Sequence, residues 1–568
     1  MINKDLKYFL KSIIFFSSFI IISFLFYRNF SLFPSVMGDE YINSIYSKNT
    51  NIEDINLPSY LYFYFYKVSY FCGPDYLNCV RSLNIFVFVF GLYLTYLLAI
   101  KFSNKNFAKI FFILLLVSPY NIYTAYFMPE SMFYLFIYLT FYLTFTLKIN
   151  RRYYFITGFV LGLCSLIKPH AIFFIPVFFI YFSILNKSIS KNLLNNAFFI
   201  FSFFFIKLMF SIVTDVEFSI FGSFYSHAVK TYTDITLIEF LRILKFSIIN
   251  FFGIISFLLI IFCLPILILF ENSMTYFQKK GNYKFESFSL FVLITFVCII
   301  TTYSIFSGFS ANYHVEKNIA FENSFRLNNR YYFFIFPLLL IIFLNEITNT
   351  KKGKINTKLI KIFSLVSTII IIYFVLNKYP SYHLIDAPLY RGLTYNNYFF
   401  YFITIFSLLL IFLYNNNKKI SLKIYFFIFL PITIFFSSLP INKEILVYKN
   451  PTKSEKIGNY LKGYFNTELD DNFLIIKIDE NKENVLDIFK ILMAFEKKNV
   501  AIIEIDNFKI NDDEVDKNLI LKLSKNTKRW ERNKNMKTFQ HYLLVINKSE
   551  MPEIIYMKAN YELIKKIY

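Results

Sequence analysis

Glycine is scarce in this chain, with 13 residues in 568. A loop that binds nucleotide phosphates through its backbone needs several closely spaced glycines, so no such loop is expected. The five cysteines and the scattered histidines show no ligand spacing for zinc. No internal repeat at the periods of soluble repeat domains is visible either. The sequence therefore does not predict a nucleotide-binding loop, a zinc site or a repeat domain.

Long apolar runs dominate the sequence instead. Hydrophobic residues make up 56% of the chain and charged residues only 17%. Apolar runs of about 20 residues match the hydrocarbon thickness of a bilayer when they are helical. A water-soluble fold could not bury so much apolar surface. The sequence therefore predicts a polytopic α-helical membrane protein in contact with membrane lipids.

The formal net charge of +22 first invites comparison with nucleic-acid-binding proteins. The lysines and arginines, however, are concentrated in alternate loops, as the positive-inside rule requires of membrane proteins. Membrane topology, together with contacts to anionic headgroups, accounts for the charge. No nucleic-acid partner is predicted.

The charge rule also predicts the topology, with about thirteen spans, the N-terminus in the cytoplasm and the C-terminus outside. The first apolar run, at 8–27, follows a basic start, and no small-residue cleavage site precedes Arg28. It is predicted to be an uncleaved first span. Residues 28–82 form the predicted first external loop, and the second span covers 83–100. We expect a multi-pass protein of the plasma (inner) membrane.

The composition changes after Pro440, where charges become dense and apolar runs shorten. Alternating strand and helix patterns predict a small α/β domain. The predicted strands are 473–478, 500–505 and 541–546, and the predicted helices are 485–497 and 513–532. The sequence thus divides into a transmembrane domain at 1–440 and an extracytoplasmic domain at 441–568. The second is expected to act as a lid or recognition domain, without chemistry of its own.

Two cysteines give information about the side of the membrane on which their segment lies. Cys72 and Cys79 flank a short Gly-Pro-Asp sequence in the predicted external loop. The spacing allows a disulfide, which would require an oxidising compartment. Cys164, Cys263 and Cys298 fall within predicted spans, where they are expected to be small buried apolar residues.

Carboxylates and cations gather on the predicted external side of the membrane. In chain order they are Asp39, Glu40, Lys67, Arg81, Glu130, Lys168, Arg326 and Arg330. Charges at the mouth of a helical bundle are costly, and their default interpretation is functional. A carboxylate can deprotonate an acceptor hydroxyl or amine, and cations can hold a leaving phosphate through charge-assisted pairs. This combination favours transfer of a sugar from a lipid phosphate, which needs no nucleotide loop.

Several short motifs follow one another in a family-like order. They are Gly38-Asp39-Glu40 after the first span, Leu57-Pro58-Ser59-Tyr60-Leu61-Tyr62, Arg81-Ser82, Met128-Pro129-Glu130-Ser131, Gly158 to Gly162 with Leu166-Ile167-Lys168, and Arg330-Tyr331 through Pro337. Together they resemble the glycosyltransferase-C superfamily, in particular its protein O-mannosyltransferase-like enzymes and the lipid A aminoarabinose transferases. One proline of the family's Pro-Pro-Leu-Tyr-type segment is replaced here.

The resemblance implies roles for the acidic residues. Asp39 would be the general base or would orient the acceptor, and Glu40 would support it or bind a metal. Glu130 would be the second acidic residue, pairing with a cation or with the acceptor. Metal use in the family is mixed, so a divalent metal ion stays open and no cofactor is assigned.

The resemblance also implies a donor site. Lys168 and Arg330 would contact the phosphate of a polyprenyl-phosphate sugar donor, and Arg81 and Arg326 would be further donor-phosphate contacts. The acceptor would be an extracytoplasmic glycan, lipid or protein. No set of metal ligands is predicted.

The same residues could instead have purely structural roles. Asp39, Glu40 and Glu130 each suit a helix N-terminus, where carboxylates favour the dipole. Lys168 and Arg330 could extend to the membrane interface as other long cations do. The glycines at 158 and 162 are expected to pack helices rather than to touch a substrate.

Three other classes of function remain as alternatives. A transporter or flippase of lipid-linked glycans would carry charges midway along its spans and internal pseudo-symmetry. A glycan polymerase or ligase would have a large external loop between late spans. A scaffold or receptor would bind a partner through the C-terminal domain alone.

Overall fold

A computed structural model describes most of the helical part of the chain and the strands near its C-terminus. The described residues are 4–34, 37–48, 58–185, 188–214, 235–279, 284–316, 329–348, 357–376 and 386–464, strands between 472 and 566, and the short pieces 218, 490 and 493–494. The chain divides into two compact units. One comprises Met1–Phe30 with Asn51–Leu446, and the other comprises Ser31–Thr50 with Val447–Tyr568. The polar segment after the first apolar helix is therefore grouped with the C-terminal residues.

Helices joined by short 3₁₀ turns build nearly all of the described chain up to residue 464. In chain order the helices are α1 (Lys4–Asn29), α2 (Met37–Lys48), α3 (Tyr60–Tyr66), α4 (Tyr76–Phe102), α5 (Lys105–Val117), α6 (Glu130–Thr146), α7 (Arg151–Ser165), α8 (Phe174–Leu185), α9 (Ile189–Thr214), α10 (Leu237–Lys279), α11 (Lys284–Glu316), α12 (Ile335–Thr348), α13 (Thr357–Leu376), α14 (Pro388–Thr394), α15 (Asn397–Asn416), α16 (Lys418–Ile424), α17 (Leu430–Val447) and α18 (Lys453–Tyr464). The 3₁₀ turns lie at Lys67–Asp75, Pro119–Thr124, Pro169–Phe173 and Asn329–Tyr331, and a π-helical turn, Tyr425–Phe429, joins α16 to α17.

Seven stretches of the described residues are long and apolar enough to cross a membrane. They are Tyr60–Phe102, Ile189–Thr214, Leu237–Tyr276, Phe285–Asn312, Leu359–Leu376, Asn397–Asn416 and Lys418–Val447. Shorter apolar helices lie at Phe15–Asn29, Pro169–Leu185 and Ile335–Thr348. The chain is thus a multi-pass membrane protein, as its composition predicts. The count of about thirteen spans and the sidedness of the loops stay predictions.

The structure departs most from the prediction in the first predicted external loop. The loop expected over 28–82 contains α2, α3 and the turn Lys67–Asp75, and α4 already begins at Tyr76. The predicted external loop thus contains helices, and its side of the membrane stays a prediction. The aromatic run of α3 explains the difference, because Tyr62, Phe63 and Tyr66 all point inward and are buried, which gives this short helix a core-facing side.

Asparagine side chains determine where several helices begin. The caps are Asn104 before α5, Asn150 before α7, Asn396 before α15 and Asn417 before α16. Each side chain accepts a hydrogen bond from a backbone N–H in the first turn, which would otherwise lack a partner. The chain can therefore turn between consecutive apolar helices without leaving polar groups unsatisfied.

Helices α7 and α9 cross at close range over the two glycines of α7. A Cβ at Gly158 would overlap the carbonyl oxygen of Phe199 and Oγ of Ser202, and a Cβ at Gly162 would lie 2.8 Å from the carbonyl oxygen of Phe203. Small residues allow such approaches between helix backbones in membranes. The prediction that these glycines pack helices is confirmed.

Gly158→Ala is expected to lower the free energy of unfolding by about 1–3 kcal/mol, because the added methyl group must push α9 away. Thermal unfolding of the purified protein in detergent measures the effect. Gly463→Ala in α18 is the matched control, since nothing lies within 4 Å of a Cβ at that position. Equal melting temperatures for the two variants would contradict the close crossing.

A charged cluster ties together the ends of three helices. Nζ of Lys418 lies 2.7 Å from Oε1 of Glu271 and 2.7 Å from Oε1 of Glu346. The hydroxyl of Tyr414 also donates a hydrogen bond to Glu271. Because buried charges persist only when paired, this cluster fixes α10, α12 and α16 to one another.

The second unit contains a five-stranded sheet among its described residues. The strands are β1 (Asn472–Asp479), β2 (Asn499–Asp506), β3 (His541–Asn547), β4 (Glu553–Lys558) and β5 (Ile564–Lys566), in the order β2-β1-β3-β4-β5. Strand β1 pairs in parallel with β2 and β3, whereas β4 runs antiparallel to β3 and β5. The first three fall where strands were predicted, and β4 and β5 were not foreseen. The predicted helices at 485–497 and 513–532 lie almost wholly outside the described residues, so the α/β character of the domain stays a prediction.

Candidate functional site

Glu130 is the first residue of α6 and is placed by the proline before it. Pro129 is the N-cap of α6, and its carbonyl oxygen accepts the first helical hydrogen bond, from the N–H of Phe133. The carboxylate therefore lies at the positive end of the helix dipole. It is nevertheless buried, at 2% exposure, and Oε1 lies 2.8 Å from Nζ of Lys168.

Lys168 follows the end of α7, where Pro169 prevents the helix from continuing. A residue before proline favours an extended conformation, and Lys168 adopts φ −147° and ψ 124°. The chain then enters the turn Pro169–Phe173. The lysine therefore leaves the axis of α7 and its ammonium group meets the start of α6.

Arg330 forms a second ion pair close to the first. It lies in the turn Asn329–Tyr331 before α12, and its Nε is 3.3 Å from Oδ1 of Asp386. The backbone N–H of Arg330 also donates to the carbonyl oxygen of Asp386, at 3.2 Å. Asp386 immediately precedes Ala387 and Pro388, which begin α14. Two segments distant in sequence are thus joined by backbone and side-chain contacts together.

The ring of Tyr331 connects the two ion pairs. Nζ of Lys168 lies 4.7 Å from the ring centroid, and Cζ of Arg330 lies 5.0 Å from it. The imidazole of His170 stacks on the same ring, with centroids 4.5 Å apart. Nη2 of Arg330 donates to the Tyr331 hydroxyl at 3.0 Å. An aromatic face attracts cations, so this ring holds two positive groups near each other that would otherwise repel.

Neutral side chains complete the surroundings of the pairs. Burial, followed by the positive charges of Lys168 and Arg330, lowers the pKa of the His170 imidazole well below its ordinary value. Burial, followed by the negative charge of Glu130, raises the pKa of the Tyr123 phenol well above its ordinary value. Both groups are therefore uncharged near neutral pH. The two cations and two carboxylates of the site balance each other in charge.

Two buried arginines hold the irregular segment that leads into Glu130. Arg28 donates to Oδ1 of Asn121 at 2.6 Å and to the carbonyl oxygen of Asn121 at 3.0 Å. Arg81 donates through Nε to the carbonyl oxygen of Ala125 at 3.0 Å. Carbonyl groups outside regular helices need donors when they are buried. The position of Glu130 therefore depends on α1 and α4 as well as on α6.

The second oxygen of the Glu130 carboxylate is left without a protein partner. Oε2 is buried and accepts no hydrogen bond, although Oε1 is paired with Lys168. A buried carboxylate oxygen in that state is costly. The arrangement suits a ligand that supplies a hydroxyl or other donor to Oε2 and an anion to the neighbouring cations.

The remaining predicted site residues are Asp39, Glu40 and Arg326. Asp39 and Glu40 are in the first turn of α2, in the second unit, with Asp39 exposed and Glu40 fully buried. Arg326 lies outside the described residues. Among the described residues, no group of three or more histidine, cysteine, aspartate or glutamate side chains could hold a metal ion. The catalytic and donor-binding roles assigned from sequence all stay predictions.

The structure joins Cys72 and Cys79 in a disulfide, with their Cα atoms 6.6 Å apart. The bond links the turn Lys67–Asp75 to the first turn of α4. Cys164 and Cys263 are buried thiols, as expected for cysteines within apolar helices, and Cys298 is partly buried.

Sequence reasoning singled out Glu130, Lys168 and Arg330 but missed some of the residues around them. The sequence patterns assign no role to Asp386 or to His170. A usable signal was present near Asp386, because Pro388, two residues later, marks the start of a helix. His170 directly follows the Lys168-Pro169 pair.

Comparison with known proteins adds a similarity of fold. No protein-family model matches the chain, and no curated protein matches it. Solved structures that are similar to it include ArnT from Cupriavidus metallidurans bound to undecaprenyl phosphate, with a TM-score of 0.47 and 11% sequence identity over 94% of this chain and 92% of that one. The apo state of the same enzyme gives a TM-score of 0.46 with the same identity and coverage.

At this identity and TM-score the likeness does not bear on what the present chain does.

Proposed function

We propose that this protein is a membrane glycosyltransferase that moves a sugar from a polyprenyl-phosphate donor to an extracytoplasmic glycan, lipid or protein. The proposal rests on two ion pairs, Lys168 with Glu130 and Arg330 with Asp386. The cations of both pairs lie against the ring of Tyr331. Lys168 and Arg330 lie against one aromatic side chain, each beside a carboxylate. They come from segments next to apolar helices of a multi-pass membrane protein.

A phosphate ester on a lipid fits this arrangement. Lys168 and Arg330 can each give a phosphate a charge-assisted hydrogen bond, and arginine can do so with two N–H groups. Such contacts stabilise negative charge that develops on the phosphate as the sugar leaves. A donor with a polyprenyl tail would keep that tail among the apolar helices while its phosphate reaches the cations.

Carboxylates would bind the sugar and activate the acceptor. Oε2 of Glu130, which has no protein partner, would accept a hydrogen bond from a sugar hydroxyl. Asp39, which is exposed, would take the proton of the acceptor hydroxyl or amine as it attacks the sugar carbon. Glu40, which is buried, would support Asp39 by orienting it. A general base of this kind typically contributes about 10²–10⁴-fold to the rate.

The disulfide supports the proposed side of the membrane. Cys72 and Cys79 are bonded to each other, and structural disulfides persist in oxidising compartments. The segment just before α4 would accordingly face away from the cytoplasm. That is the side where a flipped lipid-linked sugar donor meets its acceptor.

Binding of undecaprenyl phosphate to the purified protein in nanodiscs tests the proposal. Undecaprenol, which lacks the phosphate, is the comparison ligand. Because a hydrogen bond to a charged group contributes about 1.5–3 kcal/mol, Arg330→Met is expected to weaken undecaprenyl phosphate binding by about 10–100-fold. Undecaprenol should bind weakly to both proteins.

Arg391→Met provides the matched control. Arg391 also forms an ion pair, with Nη2 2.8 Å from Oε1 of Glu444, but it does not contact the Tyr331 ring among the contacts of the described residues. Its loss should leave undecaprenyl phosphate binding unchanged. Equal weakening by both substitutions, or equal binding of undecaprenol and undecaprenyl phosphate, would refute a specific phosphate site.

A further inference from the structure

One face of α3 and the turn after it exposes large apolar side chains. Tyr64, Phe65, Val68 and Phe71 are exposed, Tyr64 at 68% and Phe71 at 91%; these four residues are named the aromatic ridge. Positions 64, 68 and 71 recur at helical spacing and therefore share a side of the segment. Lys67, between them, is exposed as well.

The opposite face of the same segment is packed into the first unit. Tyr62 and Tyr66 are fully buried and both contact the ring of Phe127, with centroids 6.0 and 5.7 Å away. The backbone N–H of Leu61 donates to the carbonyl oxygen of Leu166 at 3.0 Å. The ridge is therefore the outer side of a fixed element, and its orientation is set by the core beneath it.

The ridge belongs to a stretch that is apolar and long enough to cross a membrane. Residues Tyr60–Phe102 form one apolar stretch that is long enough to cross a membrane, and the ridge occupies its beginning. Further along, α4 exposes Phe86, Phe90 and Tyr93. Exposed aromatic residues on a membrane-crossing helix are expected to lie against acyl chains, so the lipid surface reaches the helix next to the ridge.

The composition of the ridge is that of a membrane interface. Tyrosine is enriched where headgroups meet acyl chains, and a helix that lies in this zone combines apolar residues on one face with lysine near the headgroups. Lys67 provides such a cation beside the ridge. The disulfide between Cys72 and Cys79 joins the end of the ridge segment to the first turn of α4, which keeps the ridge at the end of the membrane-crossing helix.

We propose that the aromatic ridge is a membrane-binding element that lies in the headgroup and upper acyl-chain zone of the leaflet at the N-terminal end of α4. Its partner is the bilayer itself. The inference goes beyond the proposed transfer reaction and does not depend on it. The bilayer is favoured over a protein partner because the ridge belongs to the same membrane-crossing stretch as the exposed aromatic residues of α4.

A tryptophan placed in the ridge reports its surroundings. The chain has a single tryptophan, Trp530, so Trp530→Phe gives a background without tryptophan fluorescence, and excitation near 295 nm avoids the tyrosines. Phe71→Trp in that background is reconstituted into phosphatidylcholine vesicles that carry bromine either near the glycerol end of the acyl chains or near their methyl ends. We expect about twofold stronger quenching by the shallow bromines, as befits a residue at the interface.

Two variants in the same background calibrate the result. Phe86→Trp, on the exposed side of α4, should be quenched more by the deep bromines. Tyr70→Trp, whose native ring stacks on Tyr76 at 4.7 Å, should be quenched weakly by either lipid, because it faces the protein. Val68→Trp repeats the ridge measurement if Phe71→Trp does not fold.

A ridge that is open to water, or covered by another protein, would contradict the proposal. Strong quenching of Phe71→Trp by aqueous iodide, with no quenching by brominated lipid, would overturn it. Energy transfer between labelled copies at this site, again without lipid quenching, would overturn it in favour of self-association.

Discussion

Lys168→Met is expected to cause a large loss of stability, because it leaves the carboxylate of Glu130 buried without a counter-charge. The two side chains are 7% and 2% exposed, and their charged atoms are 2.8 Å apart. Removing one partner of a buried ion pair typically costs about 3–5 kcal/mol. The loss would be measured as the shift in the unfolding transition of the purified protein in detergent.

The double variant Lys168→Met with Glu130→Gln separates the two roles of the lysine. Removing both charges should restore most of the stability, because a neutral amide is far cheaper to bury than a carboxylate. Binding of undecaprenyl phosphate should nevertheless stay weak, since the cation is still missing. A double variant that regained full phosphate binding would show that Lys168 serves the fold alone. A single Lys168→Met variant as stable as the parent protein would contradict the buried pair itself.

Substitution of the acidic residues of α2 is expected to abolish transfer and spare donor binding. With Asp39→Asn the acceptor loses its base, and the transfer rate should fall by about 10²–10⁴-fold. Glu40→Gln should have a smaller effect, since the buried Glu40 is assigned a supporting role. Surface glycans of intact cells, compared by mass with those of cells carrying the parent protein, provide the measurement.

Asp75→Asn is the matched control for these variants. Asp75 is also an exposed carboxylate close to the start of an apolar helix, but nothing assigns it to the reaction, so its loss should leave the glycans unchanged. Normal glycans in cells that carry both Asp39→Asn and Glu40→Gln, at normal expression, would end the catalytic assignment. Loss of undecaprenyl phosphate binding in these variants would instead point to a structural role for α2.

The presence of several membrane-crossing helices could be predicted from the sequence. Hydropathy and the positive-inside rule act over about 20 residues of one segment, so the information is local. The same reasoning did not predict that the aromatic run Tyr60–Tyr66, within the predicted external loop, is helical. Its seven residues are too few to register as a span, and their helical packing depends on Phe127, which lies far along the chain.

The site could be predicted only as a set of separate residues. Glu130 and Lys168 were chosen correctly as charges at helix ends, but their sequence separation of 38 carries no sign of contact. Asp386 meets Arg330 through a backbone hydrogen bond as well as an ion pair, and neither contact leaves a periodic pattern. Long-range pairing of this kind is decided by helix packing, which a single sequence does not reveal.

The grouping of α2 with the C-terminal residues changes what a truncation experiment would mean. Ser31–Thr50 belongs to the same compact unit as Val447–Tyr568, and the backbone N–H of Phe33 donates to the carbonyl oxygen of Tyr448 at 2.8 Å. A protein cut after Leu446 would therefore lose the support of the segment that carries Asp39. Truncation at the C-terminus would therefore also disturb the N-terminal segment that contains α2. A truncated protein without transfer activity could have lost it through α2 as well as through the sheet.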